Sequence, residues 1–356
     1  MQQGRDRARP QGPRRPRRQR PRRVRRHRRA GEERARTLRR VDAFRQQARH
    51  FAGPAPLYAR LSAELEDDSL LVALVGDEVA GRTPLQLFAG LHYLVLSGRG
   101  AWDDVRAMLR DESEFLAGWL AEQHVQTNEV GRCRWLLPCF LEVARRTGAE
   151  AVDCVELGCS GGLNLLWDRY GYRYERGAWG AGSSLVLAGE ERAPVPAELL
   201  ALAPAVRSRV GVDRDPPDLR DDDAVRVLQA FVWPGEHERL ERLDAAVAIW
   251  REDPPDIAVG EMVDLLPALL ERRRDDALLL VWQSAALNYL PREGQQRVRE
   301  LLAEAGEEGP LAFVETWRPL DGSHDHYGLF VQIWPSGERV EVAHADFHGA
   351  WLAWRA

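Results

Sequence analysis

The order of apolar runs predicts an α/β protein, a mainly parallel sheet whose strands alternate with helices, preceded by an all-helical segment. Three observations carry this. From Ala151 onward, short apolar runs alternate with helix-spaced ones, as crossovers between parallel strands require. The run Ala151 to Leu157 breaks into Gly158-Cys159-Ser160-Gly161-Gly162 before a second apolar run, Leu163 to Trp167, which reads as strand, tight turn and helix start. Upstream, apolar residues recur at helical spacing with no strand pattern.

Taken in order, residues 1–34 are Arg, Pro, Gln and Gly with almost no apolar side chain. They cannot bury enough surface to fold and are expected to form a disordered, Arg-rich tail, read as a dispensable leader rather than a polyanion-binding arm. All 50 basic residues of the chain are Arg. Sixteen of them, against Asp6, Glu32 and Glu33, lie before residue 37, so the net charge of −5 divides into about +13 there and about −18 in the remainder. An acidic body does not suit nucleic acid through a general basic face. With 356 residues, 44% of them hydrophobic, the body can hold a real core.

Residues 35–148 read as helical. Val41, Phe44 and Ala48 share a face, as do Leu57, Leu61 and Leu65, and Thr83-Pro84 opens a helix with Pro in its first turn. Six or seven helices fit this length. Gln126-Thr127-Asn128-Glu129 precedes a helix carrying Val130, Cys133, Leu136, Leu137, Phe140 and Val143. These polar residues can cap its first turn or face a ligand on the neighbouring sheet, and both readings stand.

Residues 149–356 carry the sheet. Strands are predicted over Ala151 to Leu157, Val206 to Val212 (ending at Asp213), Ile257 to Val259 (then Gly260-Glu261), Ala277 to Trp282 (then Gln283-Ser284) and Leu311 to Val314 (then Glu315). Helices lie over Leu240 to Trp250, over Val263 to Leu270 and from beyond Pro291 to about Ala305. Tyr170 to Gly182 reads as an insertion or irregular hairpin. Tyr327 to Trp334 and Arg339 to His344, joined by Pro335-Ser336-Gly337-Glu338, form an antiparallel hairpin. The expected sheet is thus five parallel strands closed by that hairpin.

Cys133, Cys139, Cys154 and Cys159 sit in or beside apolar runs without zinc spacing, which predicts reduced, buried thiols in a cytoplasmic protein. No apolar run approaches the ~20 residues that cross a bilayer, and the Arg-rich start lacks the apolar segment of a secretory signal. A membrane partner is therefore not expected. Oligomeric state is not encoded in these patterns.

In such a sheet, ligands bind beyond the carboxyl ends of the strands, where strand order reverses. The residues there are Glu156 with its glycine turn, Asp213, Glu261, Gln283-Ser284 and Glu315. Glycines let a ligand approach the backbone, and the N–H groups of a new helix attract acceptor atoms. Asp213 suits a ribose diol and Glu261 an adenine edge. Asp213 lies 51 positions beyond Gly162, whereas such a carboxylate usually follows by about 20. Either Tyr170 to Pro204 is an insertion or Glu175 or Glu190 takes the role; Asp213 is preferred because it alone follows a strand.

Two other constellations compete. His324, His326, His344 and His348, with Asp325 and Asp346, could hold a metal or supply a general base, but ordinary loop and hairpin residues are the leading reading and no metal is assigned. Gly158-x-Ser160-x-Gly162 matches a hydrolase nucleophile elbow with Ser160 as nucleophile. Its place on the first strand, and the flanking Glu156 and Leu163-Asn164, count against that.

The glycine turn resembles the S-adenosylmethionine (SAM) loop of Rossmann-like methyltransferases. Over most of Thr37 to Trp354 the chain resembles the bacterial family called domain of unknown function 2332, itself similar to SAM-dependent methyltransferases. The resemblance rests on Gln126-Thr127-Asn128-Glu129, Glu156-Leu157-Gly158-x-Ser160-x-Gly162-Leu163-Asn164-Leu165-Leu166, Asp168-Arg169-Tyr170, Arg209-Val210-Gly211-Val212-Asp213, Val232-Trp233-Pro234, Tyr289-Leu290-Pro291 and His348-Gly349. It implies a class I methyltransferase sheet with a helical N-terminal cap, and SAM as cofactor. Glu156, Gly158, Ser160, Gly162, Leu163, Asn164, Asp213, Glu261 and Asn128 would bind that cofactor. A small-molecule acceptor would lie between cap and sheet, near Gln283, Ser284, Tyr289 and His348. The chain departs from the family pattern at Asp215-Pro216-Pro217-Asp218, at Gly260-Glu261 in place of Gly-Asp, and at Gln283-Ser284 in place of His-Ser. The last change puts acid–base chemistry at position 283 in doubt. Aminocarboxypropyl transfer, intramolecular cyclisation or non-catalytic SAM binding by a regulator are the alternatives.

Overall fold

The computed structural model describes residues 44–46, 49, 55–65, 68–75, 83–126, 128–274, 276–318 and 325–356. The Arg-rich segment 1–34, Val41, Ala48, Thr127 and His324 lie outside them. The chain divides into two compact units, residues 1–84 and 85–356.

In the first unit, α1 (Pro56–Leu65) buries Tyr58, Leu61, Ser62 and Leu65, spaced as one helix face, and α2 (Ser69–Val75) buries Leu71. The stripe on α1 is centred one residue beyond the expected Leu57, which is only half-buried.

The second unit opens with most of α3 (Thr83–Leu96), then α4 (Val105–Asp111), α5 (Ser113–Glu122), a 3-10 turn (Val130–Arg132) and α6 (Cys133–Thr147). Asp104 caps α4 by accepting from the Ala107 amide. Gly148, at φ +69°, ends α6 in the left-handed conformation that glycine adopts without a Cβ penalty. Every residue of α6 from Cys133 to Ala144 is buried, because the helix lies across a sheet face against β9 (Leu311–Trp317) and β10 (Tyr327–Trp334).

The sheet has nine strands. Besides β9 and β10 these are β1 (Ala151–Leu157), β5 (Glu190–Ala193), β6 (Ala205–Asp213), β7 (Asp256–Val259), β8 (Leu278–Gln283), β11 (Glu338–Ala345) and β12 (Trp351–Trp354). Their spatial order is β5-β12-β11-β10-β9-β8-β1-β6-β7. β7, β6, β1, β8 and β9 are mutually parallel. In chain order they stand third, second, first, fourth, fifth, so the direction of winding reverses between β1 and β8. A separate three-stranded sheet, β3 (Gly177–Trp179), β2 (Gly171–Tyr174) and β4 (Val186–Leu187), occupies the segment expected as an irregular hairpin.

Both faces of the parallel half are apolar and alternate by residue. Cys154, Leu280, Trp282, Ala312 and Val314 point into one core, where Phe140 of α6 packs on Trp167 and Trp282 with ring centroids 5.1 and 5.0 Å away. Val155, Leu279, Val281, Leu311 and Phe313 point into the other, under α10 (Met262–Leu270) and α11 (Arg292–Glu308). Burial on both faces is why β1, β8 and β9 read as nearly continuous apolar runs, whereas β6 and β7, toward the other edge, are partly exposed.

The sheet differs from the five-plus-two expectation at its antiparallel end. β12 pairs antiparallel with β11, and β5 pairs parallel with β12 to form the edge. β5 reads Glu-Glu-Arg-Ala with no buried residue, and an edge strand exposed in this way needs no apolar alternation. Arg134 of α6 fixes it, donating through Nη2 to the carbonyls of Gly189 and Glu190 at 2.6 and 2.8 Å. Three other elements were not anticipated in form: α7 (Ala197–Leu200), α8 (Asp222–Ala230), and a kinked 3-10 stretch, Leu163–Arg169, where a regular helix was expected. The helix expected over Leu240 to Trp250 is α9 (His237–Glu252). The four cysteines are free and buried. No helix among the described residues is long and apolar enough to cross a membrane.

Candidate functional site

The glycine turn leaves β1 at the reversal point and is fastened to the end of β6. The amides of Gly158 and Cys159 both donate to the Val212 carbonyl, and the Ser160 amide donates to Asp213 Oδ2 at 2.8 Å. Gly158, Ser160 and Gly162 have φ of +71°, +52° and +78°. A Cβ on Gly158 would stand 2.3 Å from that of Ala286, so glycine here admits the chain beyond β8 as well as the bend. The Gly162 amide donates to the Cys159 carbonyl. The turn thus spends four of its amides within the protein, leaving fewer for a ligand than a bare glycine cradle would offer.

Glu156, at the end of β1, is buried, and its Oε2 has no hydrogen-bond partner. Burial pushes its carboxyl up to about 8, opposed by the Asn164 amide, the Trp282 indole and the Arg132 charge and helped by Asp213. Asn164 also accepts from the Cys133 thiol at 3.2 Å, while Leu163 is wholly buried and accepts from the Tyr170 hydroxyl.

The segment before α6 crosses the carboxyl edge of the sheet from one side of the reversal to the other. Gln126 Nε2 donates to the Asp215 carbonyl beyond β6, and its Oε1 accepts from Ser160 Oγ at 2.6 Å. Asn128 Nδ2 donates to the Cys159 carbonyl at 3.2 Å, and its Oδ1 is buried without a partner. Arg132 Nη1 donates to the Ser284 carbonyl beyond β8 at 2.8 Å, and its Nε to the Phe347 carbonyl at 3.1 Å. Glu129 caps the 3-10 turn through the Gly131 amide. The capping reading holds for Glu129, while Gln126 and Asn128 bond to the glycine turn and to the chain beyond β6. Burial acts to raise the Glu129 carboxyl, but Arg239 at 2.6 Å, His348 and Arg242 outweigh it and hold it below the usual range. A small cavity of about 20 Å³, room for about one water molecule, lies beside this segment, lined in part by Gln126, Asn128, Glu129, Phe231 and Arg239.

The remaining expected residues divide. Asp213 accepts the Ser160 and Asp215 amides, and the Gly260 amide donates to its carbonyl, which brings Glu261 to the same edge. Glu261 is half-exposed, 3.6 Å from Arg214. Gln283 is buried between strand ends, donating to the Thr316 carbonyl at 2.9 Å and accepting from the Leu287 amide. That pairing is structural and supplies no titrating group. Ser284 meets Arg132 through its carbonyl and, at 3.4 Å, its hydroxyl. Tyr289 is about half-exposed at the end of a 3-10 turn, Ala286–Tyr289. His348 packs edge-on against Trp233 at 5.3 Å, and its carbonyl stands where a Cβ on Gly131 would be.

The late histidines separate. His326 and His344 meet at 4.8 Å, tilted, on the antiparallel hairpin, paired with Asp325 and Glu341, whereas the ring contact of His348 is with Trp233. Glu190 lies on the far edge strand and Glu175 is in the small sheet, its amide bonded to Glu191, so neither reaches the glycine turn. Ser160 has the strained φ of a nucleophile elbow, yet its hydroxyl donates to a glutamine rather than a histidine.

Arg132 is the site residue sequence reasoning missed. The available signal was a charge inside an apolar run directly after Gln126-Thr127-Asn128-Glu129. Glu156 Oε2 and Asn128 Oδ1 are two oxygens left without a partner at this edge, beside the unpaired indole nitrogen of Trp282. A neutral carboxyl can donate or accept, an amide oxygen accepts, and Asp213 stands beside them as a carboxylate. The set fits a ligand rich in hydroxyl or ammonium donors, such as a nucleoside with an amino-acid tail. A family model described as "uncharacterized protein conserved in bacteria (DUF2332)" matches residues 41–354. No curated protein matches the chain.

Proposed function

The chain belongs to the DUF2332 family, and we propose that it is a SAM-dependent methyltransferase of the Rossmann-like class, acting on a small-molecule acceptor at the carboxyl edge of its sheet. The observation that carries the reading is Glu156: a buried acidic group at the end of the central strand, at the reversal of strand order, with one oxygen unspent. A group buried in that state costs free energy unless a ligand donor meets it.

In this reading Glu156 and Asn128 Oδ1 take donor groups of the cofactor, Asp213 takes the ribose diol while steadying the glycine turn, and Glu261 stands at the adenine edge. Leu163 and Asn164 hold the turn from beneath, and Gly158, Ser160 and Gly162 supply its bend. The cofactor supplies an electrophilic methyl group. The protein's part is alignment, which lowers the barrier by several kcal/mol (~7–11 in the best-oriented model reactions). Gln283 and Ser284 shape the floor beyond β8, and Tyr289 and His348 are the groups able to orient or deprotonate an acceptor. The sequence lying cytoplasmic is part of the same proposal.

Calorimetry with SAM and S-adenosylhomocysteine tests binding, and incubation with labelled SAM tests turnover. S-adenosylhomocysteine as product supports methyl transfer, methylthioadenosine supports attack at the aminocarboxypropyl carbon or cyclisation, and binding without product supports a regulator. No heat with either ligand on folded protein rejects the reading.

A further inference from the structure

Two guanidinium groups at this edge pair with no carboxylate among the described residues. Arg132 is 8% exposed, with Nε and Nη1 bonded to the Phe347 and Ser284 carbonyls, while Nη2 donates to nothing among the described residues and is not fully buried. No carboxylate of the described residues pairs with it. Glu129, three residues earlier, is taken by Arg239 and Arg242. Arg318, just past β9, lies 4.9 Å over the Phe347 ring; its Nε is buried without a partner, and it too has no carboxylate among the described residues. Phe347 therefore carries one guanidinium on its carbonyl and another on its ring.

A buried cation without an anion is costly, and carbonyl dipoles offset only part of that cost. Arg134 makes the contrast. It also lacks a salt bridge among the described residues, but both its terminal nitrogens are spent on carbonyls of Gly189, Glu190 and Gly349, which fixes an edge strand. Arg132 keeps a terminal nitrogen unspent at the reversal of strand order.

We propose that Arg132 and Arg318 form an anion subsite beyond β8 and β9 that takes the carboxylate of the acceptor, so that the enzyme acts on small carboxylate-bearing molecules. The proposal rests on the methyltransferase reading for the word acceptor, and on the two arginines for the anion. Asn128 and Asp213 bond to the turn between β1 and β6, whereas Arg132 bonds to Ser284 beyond β8 and Arg318 follows β9; Glu156, on the strand between, feels the Arg132 charge. Guanidinium matches carboxylate in geometry as well as charge.

The probe is trifluoroacetate, followed by its fluorine NMR line width on the full chain at fixed ionic strength, with trifluoroethanol as the neutral control. Trifluoroacetate alone should broaden, and Arg132→Gln and Arg318→Gln should each weaken it by about tenfold, the scale of one charge-assisted pair. Arg132→Lys should retain part of the binding. S-adenosylhomocysteine affinity should stay the same in Arg318→Gln. Unchanged trifluoroacetate binding in both overturns the proposal. Loss of S-adenosylhomocysteine affinity with methylthioadenosine unaffected also overturns it, because the anion would then be the cofactor's own tail. Should Arg132→Gln fail to fold, Arg318→Gln decides, since that side chain makes no hydrogen bond among the described residues. If wild type binds no S-adenosylhomocysteine, the methyltransferase reading falls while the fluorine result still judges the subsite.

Discussion

The backbone amide of Ser160 donates to Asp213 Oδ2 at 2.8 Å, tying the turn after β1 to the end of β6 across 53 positions of chain. Oδ1 of the same carboxylate accepts the Asp215 amide. One side chain thereby holds two loops at the edge where the ligand is proposed to lie. Asp213→Ala should lower unfolding free energy by about 1 kcal/mol, the scale of one part-buried hydrogen bond, since the Asp215 amide is exposed and can turn to water. Asp213→Asn, which keeps an acceptor oxygen, should cost less. Urea unfolding followed by tryptophan fluorescence orders the three proteins, and identical midpoints would remove the clamp from the account.

Gly158 faces Ala286 with no room for a second methyl group. Gly158→Ala should cost about 1–3 kcal/mol for overpacking, and about 1–2 kcal/mol more for a left-handed alanine. Ala286→Gly in the same chain should return the first part and not the second. Thermal melts of the two single variants and the double variant give the coupling; strict additivity would mean that the two residues do not compete for space.

The Glu156 carboxyl, raised to about 8 by burial, makes stability depend on pH in a defined direction. Unfolded, it releases its proton near the ordinary value of 4.5; folded, it keeps that proton up to about 8. The native state binds more protons between those values, so this contribution is complete at acid pH and is lost as pH rises through the interval. Glu156→Gln should flatten that part of the profile. Unfolding free energies of both proteins at about pH 5 and about pH 9 test it, and a parallel decline in the two would assign the slope elsewhere.

Ser160 should not react with a fluorophosphonate. Its hydroxyl donates to Gln126 Oε1 at 2.6 Å, and an amide oxygen does not take up a proton at neutral pH. Intact-mass analysis after incubation reads the result, and a stoichiometric adduct on Ser160 would restore the hydrolase reading.

The centre of the parallel half was legible because β1, β8 and β9 are buried on both faces. Ala151 to Leu157 and Ala277 to Trp282 read as strands, given the glycine turn after one and the polar break after the other. The antiparallel end was legible as far as the β10–β11 hairpin. β5 was hidden because an exposed edge carries no period, and β12 because four residues after a glycine are too few to show one. At the site, Glu156 and Asp213 followed from strand ends, whereas Arg132 did not. What singles out Arg132 is that no carboxylate among the described residues pairs with it, and a linear reading cannot register that. Gln283 stood in the sequence as a possible participant in chemistry, and its two backbone partners give it a bracing role.

The seam between β5 and β12 joins Glu190 to Trp351, about 160 positions apart, the kind of non-local pairing that slows folding. The seam gains little apolar burial once formed, since β5 has no buried residue. Amide protons of residues 190–193 should therefore exchange with deuterated solvent well ahead of those in β1, so that the native ensemble frays from the margin furthest from the glycine turn.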